Sequence, residues 1–256
     1  MYLEINMNMK KLNLLSIVIF TILSFYAQKT VAQNISDSVR ISDYLHITHS
    51  DHSDWIKRYQ KDINKYIDEN KKMKDFSCDA LFIGSSSINL WKNIYNDMAP
   101  LKIIRRSYGG STIRDMIYNY EVIARGYKPK SIVMYVENDF CSCKEGISVG
   151  ETYDLFRVFI RKVQTEYPDT PFFIVSFKPS FAKGDQLPQQ LVINSLLQDY
   201  CNKTPNLYYL DITKGMYDAE GNLRKDIFVS DNLHMNQNGY DIWTPIIKNA
   251  VLDKIK

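Results

Sequence analysis

The strongest constraint in this chain is an alternation. Short apolar runs, each closed by a glycine or a polar turn, are followed by stretches with helical spacing. Ala80-Leu81-Phe82-Ile83 ends at Gly84, and Lys102–Ser107 is broken by Gly109-Gly110. Ser131–Val136, Pro171–Phe177 and Leu207–Ile212 complete a set of five. Between and after them, Ile88–Met98, Thr112–Ile123, Glu151–Tyr167, Gln189–Asn202 and Asn236–Ile255 read as helices. Pro100 stops the first of these, Gly126 and Pro129 end the second, and Thr112 with Asp115 forms a capping-box pattern. Ahead of the first run, Trp55, Ile56, Tyr59, Ile63, Tyr66 and Ile67 recur at helical spacing, which predicts an amphipathic helix over residues 53–70. Apolar strands alternating with helices predict an α/β architecture, a parallel sheet with helices on both faces. No internal repeat or linker divides that pattern.

The beginning of the chain belongs to a different class. Lys10 and Lys11 precede Leu12–Tyr26, which is apolar apart from Asn13, Ser16, Thr21 and Ser24. The run is too short and interrupted for a stable membrane span. A basic segment, a short apolar run and the small residues of Thr30-Val31-Ala32 read as a secretory signal cleaved before Gln33. An uncleaved anchor is the second reading, and no Cys follows the run to carry a lipid. The expected organisation is a signal peptide over 1–32, a helical lead-in over 33–77 and one domain over 78–256, exported to the periplasm or medium.

Composition removes several classes. Of 256 residues, 45% are hydrophobic and 24% charged, with 10 Gly and 8 Pro, so collagen-like and low-complexity chains are excluded. The net charge is +3. Residues 1–32 hold three Lys and one Glu, so their removal takes the count from 32 basic and 29 acidic side chains to 29 and 28. Arg105-Arg106 and Lys71-Lys72-Met73-Lys74 are too short for a basic tract, so no nucleic-acid partner is expected. Cys78, Cys141, Cys143 and Cys201 match no zinc spacing, and His46, His49 and His52 lie in a polar stretch read as surface. Free thiols and one local bridge both remain open. A bridge joining Cys78 or Cys201 to the Cys141–Cys143 pair is not expected, because the two sets fall at opposite ends of the sheet.

Ligands of such sheets bind beyond the carboxyl ends of the strands. Gly84-Ser85-Ser86-Ser87, Tyr108-Gly109-Gly110-Ser111, Glu137-Asn138-Asp139 and Asp231-Asn232-Leu233-His234 all follow strands and share one rim. A serine hydroxyl needs a base, His234 can be one, and Asp231 can fix its tautomer. The N–H groups of Ser86 and Gly110 and the amide of Asn138 can stabilise an oxyanion. Taken singly, each cluster has a plainer explanation as a turn or a helix cap. Their common position is what favours chemistry. Trp91 and Trp243 read as helix-face packing. Tyr108 and Phe140 flank site residues and could wall a substrate pocket or pack in the core.

These residues resemble the SGNH hydrolases, also called GDSL esterases and lipases. Gly84-Ser85-Ser86 resembles the Gly-Asp-Ser block, Tyr108–Thr112 the glycine block, Asn138-Asp139 the asparagine block and Asp231-x-x-His234 the Asp-x-x-His block. The resemblance implies a three-layer α/β/α sandwich of flavodoxin type with a five-stranded parallel sheet. It implies Ser86, His234 and Asp231 as catalytic triad, and Ser86, Gly110 and Asn138 as oxyanion hole, with no metal or organic cofactor. Ser85 stands where the family has Asp, and Val136 where it has Gly. Gly-x-Ser-x-Gly is absent, since Ile88 follows Ser87, unlike the α/β-hydrolase elbow. The expected activity is hydrolysis of a small-molecule or glycan ester, short-chain and O-acetyl by preference, through an acyl-enzyme. A lipid acyl hydrolase or lysophospholipase with the same triad, and a catalytically silent binding module, are the alternatives.

Overall fold

Ala80 to Gly84 form an inner strand of the sheet, paired on both sides, in the computed structural model, which describes residues 57–140 and 146–255. The segment expected to be a signal, the histidines at 46, 49 and 52, Cys141 and Cys143 lie outside the described residues. Helix α1 (Gln60–Lys72) comes first, followed by β1 (Ser77–Cys78) and β2 (Ala80–Gly84). Then come two short helices, α2 (Ser86–Asn89) and α3 (Ile94–Asp97), before β3 (Ile103–Ser107). Helices α4 (Ile113–Tyr118) and α5 (Tyr120–Ile123) lead to β4 (Lys128–Pro129) and β5 (Ile132–Tyr135). The rest alternates as α6 (Val149–Glu166), β6 (Phe172–Val175), α7 (Leu187–Asn202), β7 (Leu207–Leu210) and α8 (Gln237–Lys254).

The five expected strands pair in the order β3-β2-β5-β6-β7, all parallel. Alternation along each strand splits the core into two layers. Ala80, Phe82, Val133, Tyr135, Phe173 and Val175 join Trp91, Ile94 and Met98 and the α8 residues Tyr240, Trp243 and Ile247. The alternate positions, Leu81, Ile83, Ile132, Met134, Phe172 and Ile174, are equally buried and face the other way. There α6 packs between α4 and α7, and the rings of Phe159 and Phe172 stand 6.4 Å apart. This is the expected three-layer sandwich.

Four expectations are corrected, and one strand pair is new. The helix expected over 88–98 is two short helices, and that over 112–123 breaks at Asn119, although its capping box is present. The helix expected over 53–70 is described from Gln60 and runs to Lys72. A small parallel pair, β1 with β4, was not foreseen. Trp91 is a core residue between α2 and α3 rather than on a helix face, stacked on Tyr240 at 4.8 Å.

Cys78 and Cys201 are free and buried, and burial pushes both thiols up to about 12. Among the described residues no helix is long and apolar enough to cross a membrane, and no cluster of His, Cys, Asp or Glu could hold a metal ion.

Candidate active site

The first strand end turns sharply into α2. Gly84 adopts φ +140°, and a Cβ there would fall 2.0 Å from the Tyr135 carbonyl oxygen, so this position admits only glycine. Ser85 N donates to Tyr135 O at 2.9 Å, and Tyr108 N donates to Gly84 O at 3.0 Å, which ties the turn to both neighbouring strands. The three serines then separate by environment. Ser85 is 0% exposed, Ser87 1% and Ser86 7%. Ser85 Oγ accepts a 2.7 Å bond from Asn138 Nδ2. Ser87 Oγ is buried without a hydrogen-bond partner. Ser86 is the most open of the three and is the first residue of α2, where a backbone N–H has no partner within the helix.

The glycine turn lies beside it. Gly110 has φ +76°, the left-handed region that glycine enters without penalty, and its carbonyl accepts a 2.6 Å bond from the Tyr59 hydroxyl just before α1. The lead-in helix therefore braces the site. Asn138 reaches the same place from the end of β5. Its Nδ2 donates to Ser85 Oγ at 2.7 Å and to Ser111 O at 3.0 Å, and its Oδ1 accepts from Lys183 Nζ at 2.8 Å. The hydroxyl of Ser85 thus holds the Asn138 amide next to Ser86.

Asp139 is fully buried, and its Oδ1 accepts from Ile113 N at 3.0 Å at the start of α4. Burial pushes its carboxyl up to about 7, against the bond from Ile113 and the charge of Arg114. A carboxyl whose folded pKa lies above its unfolded value of about 4 binds a proton in the folded state that the unfolded chain releases. Stability should therefore fall as pH rises from about 4 to about 7 and then level off. Asp139→Asn keeps the acceptor for Ile113 and should flatten this slope. Chemical denaturation of both proteins across that range checks it, and parallel slopes would contradict it.

The last loop supplies the acid and the imidazole. Asp231 Oδ1 accepts from the backbone N–H groups of Leu233 and His234 at 2.8 Å each, leaving Oδ2 for His234 Nδ1 at 2.7 Å. Burial opposes the Asp231 charge, but the bonds from His234 and Leu233 outweigh it and hold the carboxyl at about 2. An ionised carboxylate only accepts, so His234 Nδ1 carries a proton, and in the neutral ring Nε2 then keeps its lone pair. Asn236, not Asp231, caps α8, accepting from Gly239 N at 3.3 Å, so helix capping does not account for Asp231. The loop is anchored to the rim by Lys178 Nζ donating to Leu233 O (2.8 Å) and by Ala182 N donating to Asn232 O (3.2 Å), and α8, which follows it, is tied to α2 by Tyr240 OH donating to Ser87 O (3.0 Å).

Hydrogen bonds join Ser85, Ser111 and Asn138 directly, and the Asp231–His234 loop is tied to Asn138 through Lys178, Glu137 and Lys183; among the described residues no hydrogen bond joins Ser86 to His234. Tyr108 does not wall a pocket. It is wholly buried, its hydroxyl donates to Asp115 O at 2.9 Å, and its ring lies 4.8 Å from that of Tyr59. Phe140 is half-buried, with its ring 5.8 Å from Phe177. Sequence reasoning passed over Lys178 and Lys183. The signal was available: Phe177-Lys178-Pro179-Ser180 follows a strand on the same rim as the four clusters that were read.

The sequence matches no protein-family model and no curated protein. Solved structures do match. A Streptococcus pneumoniae protein described as a platelet activating factor superposes with a TM-score of 0.67 at 20% identity, over 77% of this chain and 94% of its own. A GDSL-like lipase from Bacteroides thetaiotaomicron gives 0.60 at 17% identity, over 75% and 97%. A family 3 carbohydrate esterase from Clostridium thermocellum gives 0.55 at 14% identity, over 70% and 100%. With its five-stranded parallel sheet between two helical layers, the chain has the fold of the SGNH, or GDSL, hydrolases.

Proposed function

We propose that this protein is a serine esterase. The observation that carries the reading is the Asp231–His234 pair. One carboxylate oxygen is fixed by two backbone amides, and the other holds Nδ1 at 2.7 Å, on the rim that bears the Ser86 turn. In the proposed cycle His234 Nε2 takes the Ser86 proton as Oγ attacks the ester carbonyl, and returns it to the departing alcohol. An acyl-enzyme on Ser86 is then hydrolysed by water activated at the same nitrogen. The oxyanion is met by Ser86 N, Gly110 N and Asn138 Nδ2. Asn138 would turn part of its bonding from Ser85 Oγ to the developing charge.

The substrate we favour is a short acyl ester, an O-acetyl group on a carbohydrate or other small molecule, as the carbohydrate esterase among the structural neighbours suggests. The GDSL-like lipase among them supports a second reading, a lipid acyl hydrolase. A panel of chromogenic esters of graded chain length, with acetylated glycans included, tests both. The first reading predicts preference for acetate and deacetylation of glycan. Preference for long acyl chains would favour the second, and no turnover of any ester would contradict both. We also propose export directed by residues 1–32, which N-terminal sequencing of the exported protein checks. Its expected start is Gln33 or a near neighbour, and an intact Met1 would overturn cleavage.

A further inference from the structure

Beneath the rim, three charged side chains lie in the interior. Lys178 is wholly buried, and Glu137 and Lys183 nearly so. Glu137 Oε1 stands 3.2 Å from Lys178 Nζ and 3.5 Å from Lys183 Nζ, so one carboxylate holds two ammoniums. Each ammonium also reaches a different part of the site. Lys178 donates to Leu233 O at 2.8 Å, one residue before His234. Lys183 donates to Asn138 Oδ1 at 2.8 Å and to Glu137 O at 3.2 Å. The cluster spans the two arms that the chemistry must bring together.

Such a cluster is an expensive way to fill a core. Taking charges out of water is costly, and apolar side chains of similar volume often stabilise a fold better. The contacts show what the charges achieve. An ammonium has only donors, so Lys183 can meet only the oxygen of the Asn138 amide. That contact excludes the flipped amide and turns Nδ2 toward Ser85, Ser111 and the rim. A positive charge on the amide oxygen also draws density from nitrogen and strengthens its N–H donors. Glu137 makes the arrangement tolerable. Burial opposes its charge, but Lys178 and Lys183 outweigh that and hold its carboxyl below the ordinary range.

We propose that Lys183, held by Glu137, is a positioning residue that orients and polarises Asn138 as oxyanion donor, while Lys178 ties the same carboxylate to the His234 loop. This rests on the reading of Asn138 given above.

The test is a kinetic cycle on a chromogenic acetate ester with wild type, Lys183→Met, Asn138→Ala and the double variant. Thermal unfolding of each establishes the folded fraction. Lys183→Met leaves Glu137 paired with Lys178, so no unpaired charge is buried. Lys183→Gln, a neutral donor, serves as the second variant if the Met protein does not fold. Lys183→Met should lower kcat about tenfold to a hundredfold, the range for outer-shell partners elsewhere, with KM within about twofold. It should cost nothing further in the Asn138→Ala background, because the two act as one unit. Wild-type kcat in Lys183→Met, or a full multiplicative loss in the double variant, would overturn the proposal while leaving the role of Asn138 standing. Wild-type kcat in Asn138→Ala would overturn the oxyanion reading, and the proposal with it.

Discussion

Replacing Ser86 by Ala should abolish turnover of a chromogenic acetate ester, with a loss of about 10⁴- to 10⁶-fold, while the fold stays intact. Three adjacent serines make this assignment a matter of environment as well as register. Ser85 Oγ lies in the interior and is committed to Asn138 Nδ2 at 2.7 Å. Ser87 Oγ is shut in beneath the turn. Ser86 alone begins the helix on the open side, with its N–H free to meet an oxyanion. Ser85→Ala should cost far less, about tenfold to a hundredfold, through the loss of one bond that steadies Asn138. Ser87→Ala should change turnover little. Steady-state kinetics of the three variants, with thermal unfolding as control, decides between them. A dead Ser85→Ala or Ser87→Ala beside an active Ser86→Ala would mean that the nucleophile had been placed one residue off.

His234→Ala and Asp231→Asn should each lower kcat/KM by about 10⁴-fold, and the double variant should fall little further. The geometry explains the sharing. Asp231 fixes the ring through Nδ1, and its other oxygen fixes the loop through the amides of Leu233 and His234. Asn at 231 can retain the backbone bonds through its oxygen but presents an amide nitrogen to Nδ1, so the ring takes the wrong tautomer. Because the Asp231 carboxyl is held at about 2, it stays ionised through any working range. A carboxyl lowered in this way loses its charge only as pH falls through its folded value. Protonation of Asp231 therefore does not account for a loss of activity on mild acidification. A pH profile of kcat/KM for the wild type and the single variants checks this. Fully multiplicative losses would contradict a shared triad.

The sheet was legible in the sequence because four of its five strands are short apolar runs, and β3, which carries Arg105 and Arg106, is broken by the glycine turn that follows it. The capping box at Thr112 and Asp115 was legible because it is a local pattern. The broken helices were not, because tertiary contacts break them. Arg105 on β3 donates through Nη1 to the carbonyls of Ile88, Asn89 and Trp91 at 3.5, 3.3 and 3.1 Å, which ends α2 and lets Trp91 enter the core. Asn119 ends α4 by donating to Asp115 O at 3.0 Å and to the buried Tyr108 hydroxyl at 3.2 Å. The same limit applies to the site. Motif order and the strand-end rule singled out Ser86, Gly110, Asn138, Asp231 and His234, the residues on which the proposed chemistry rests. The burial of Lys178 and Lys183 depends on Glu137, more than 40 residues away, and lysine in a polar loop reads as surface. Tyr108 went the other way, since flanking a glycine turn in sequence does not decide which side of it a ring will occupy.

The most direct test of the account is covalent labelling with a fluorophosphonate probe, followed by peptide mass mapping. The account predicts one adduct, assigned by fragmentation to Ser86, present in Ser85→Ala and Ser87→Ala and absent in Ser86→Ala. It also predicts that labelling collapses in His234→Ala. No adduct on the folded wild-type protein, or an adduct on any other residue, would contradict it.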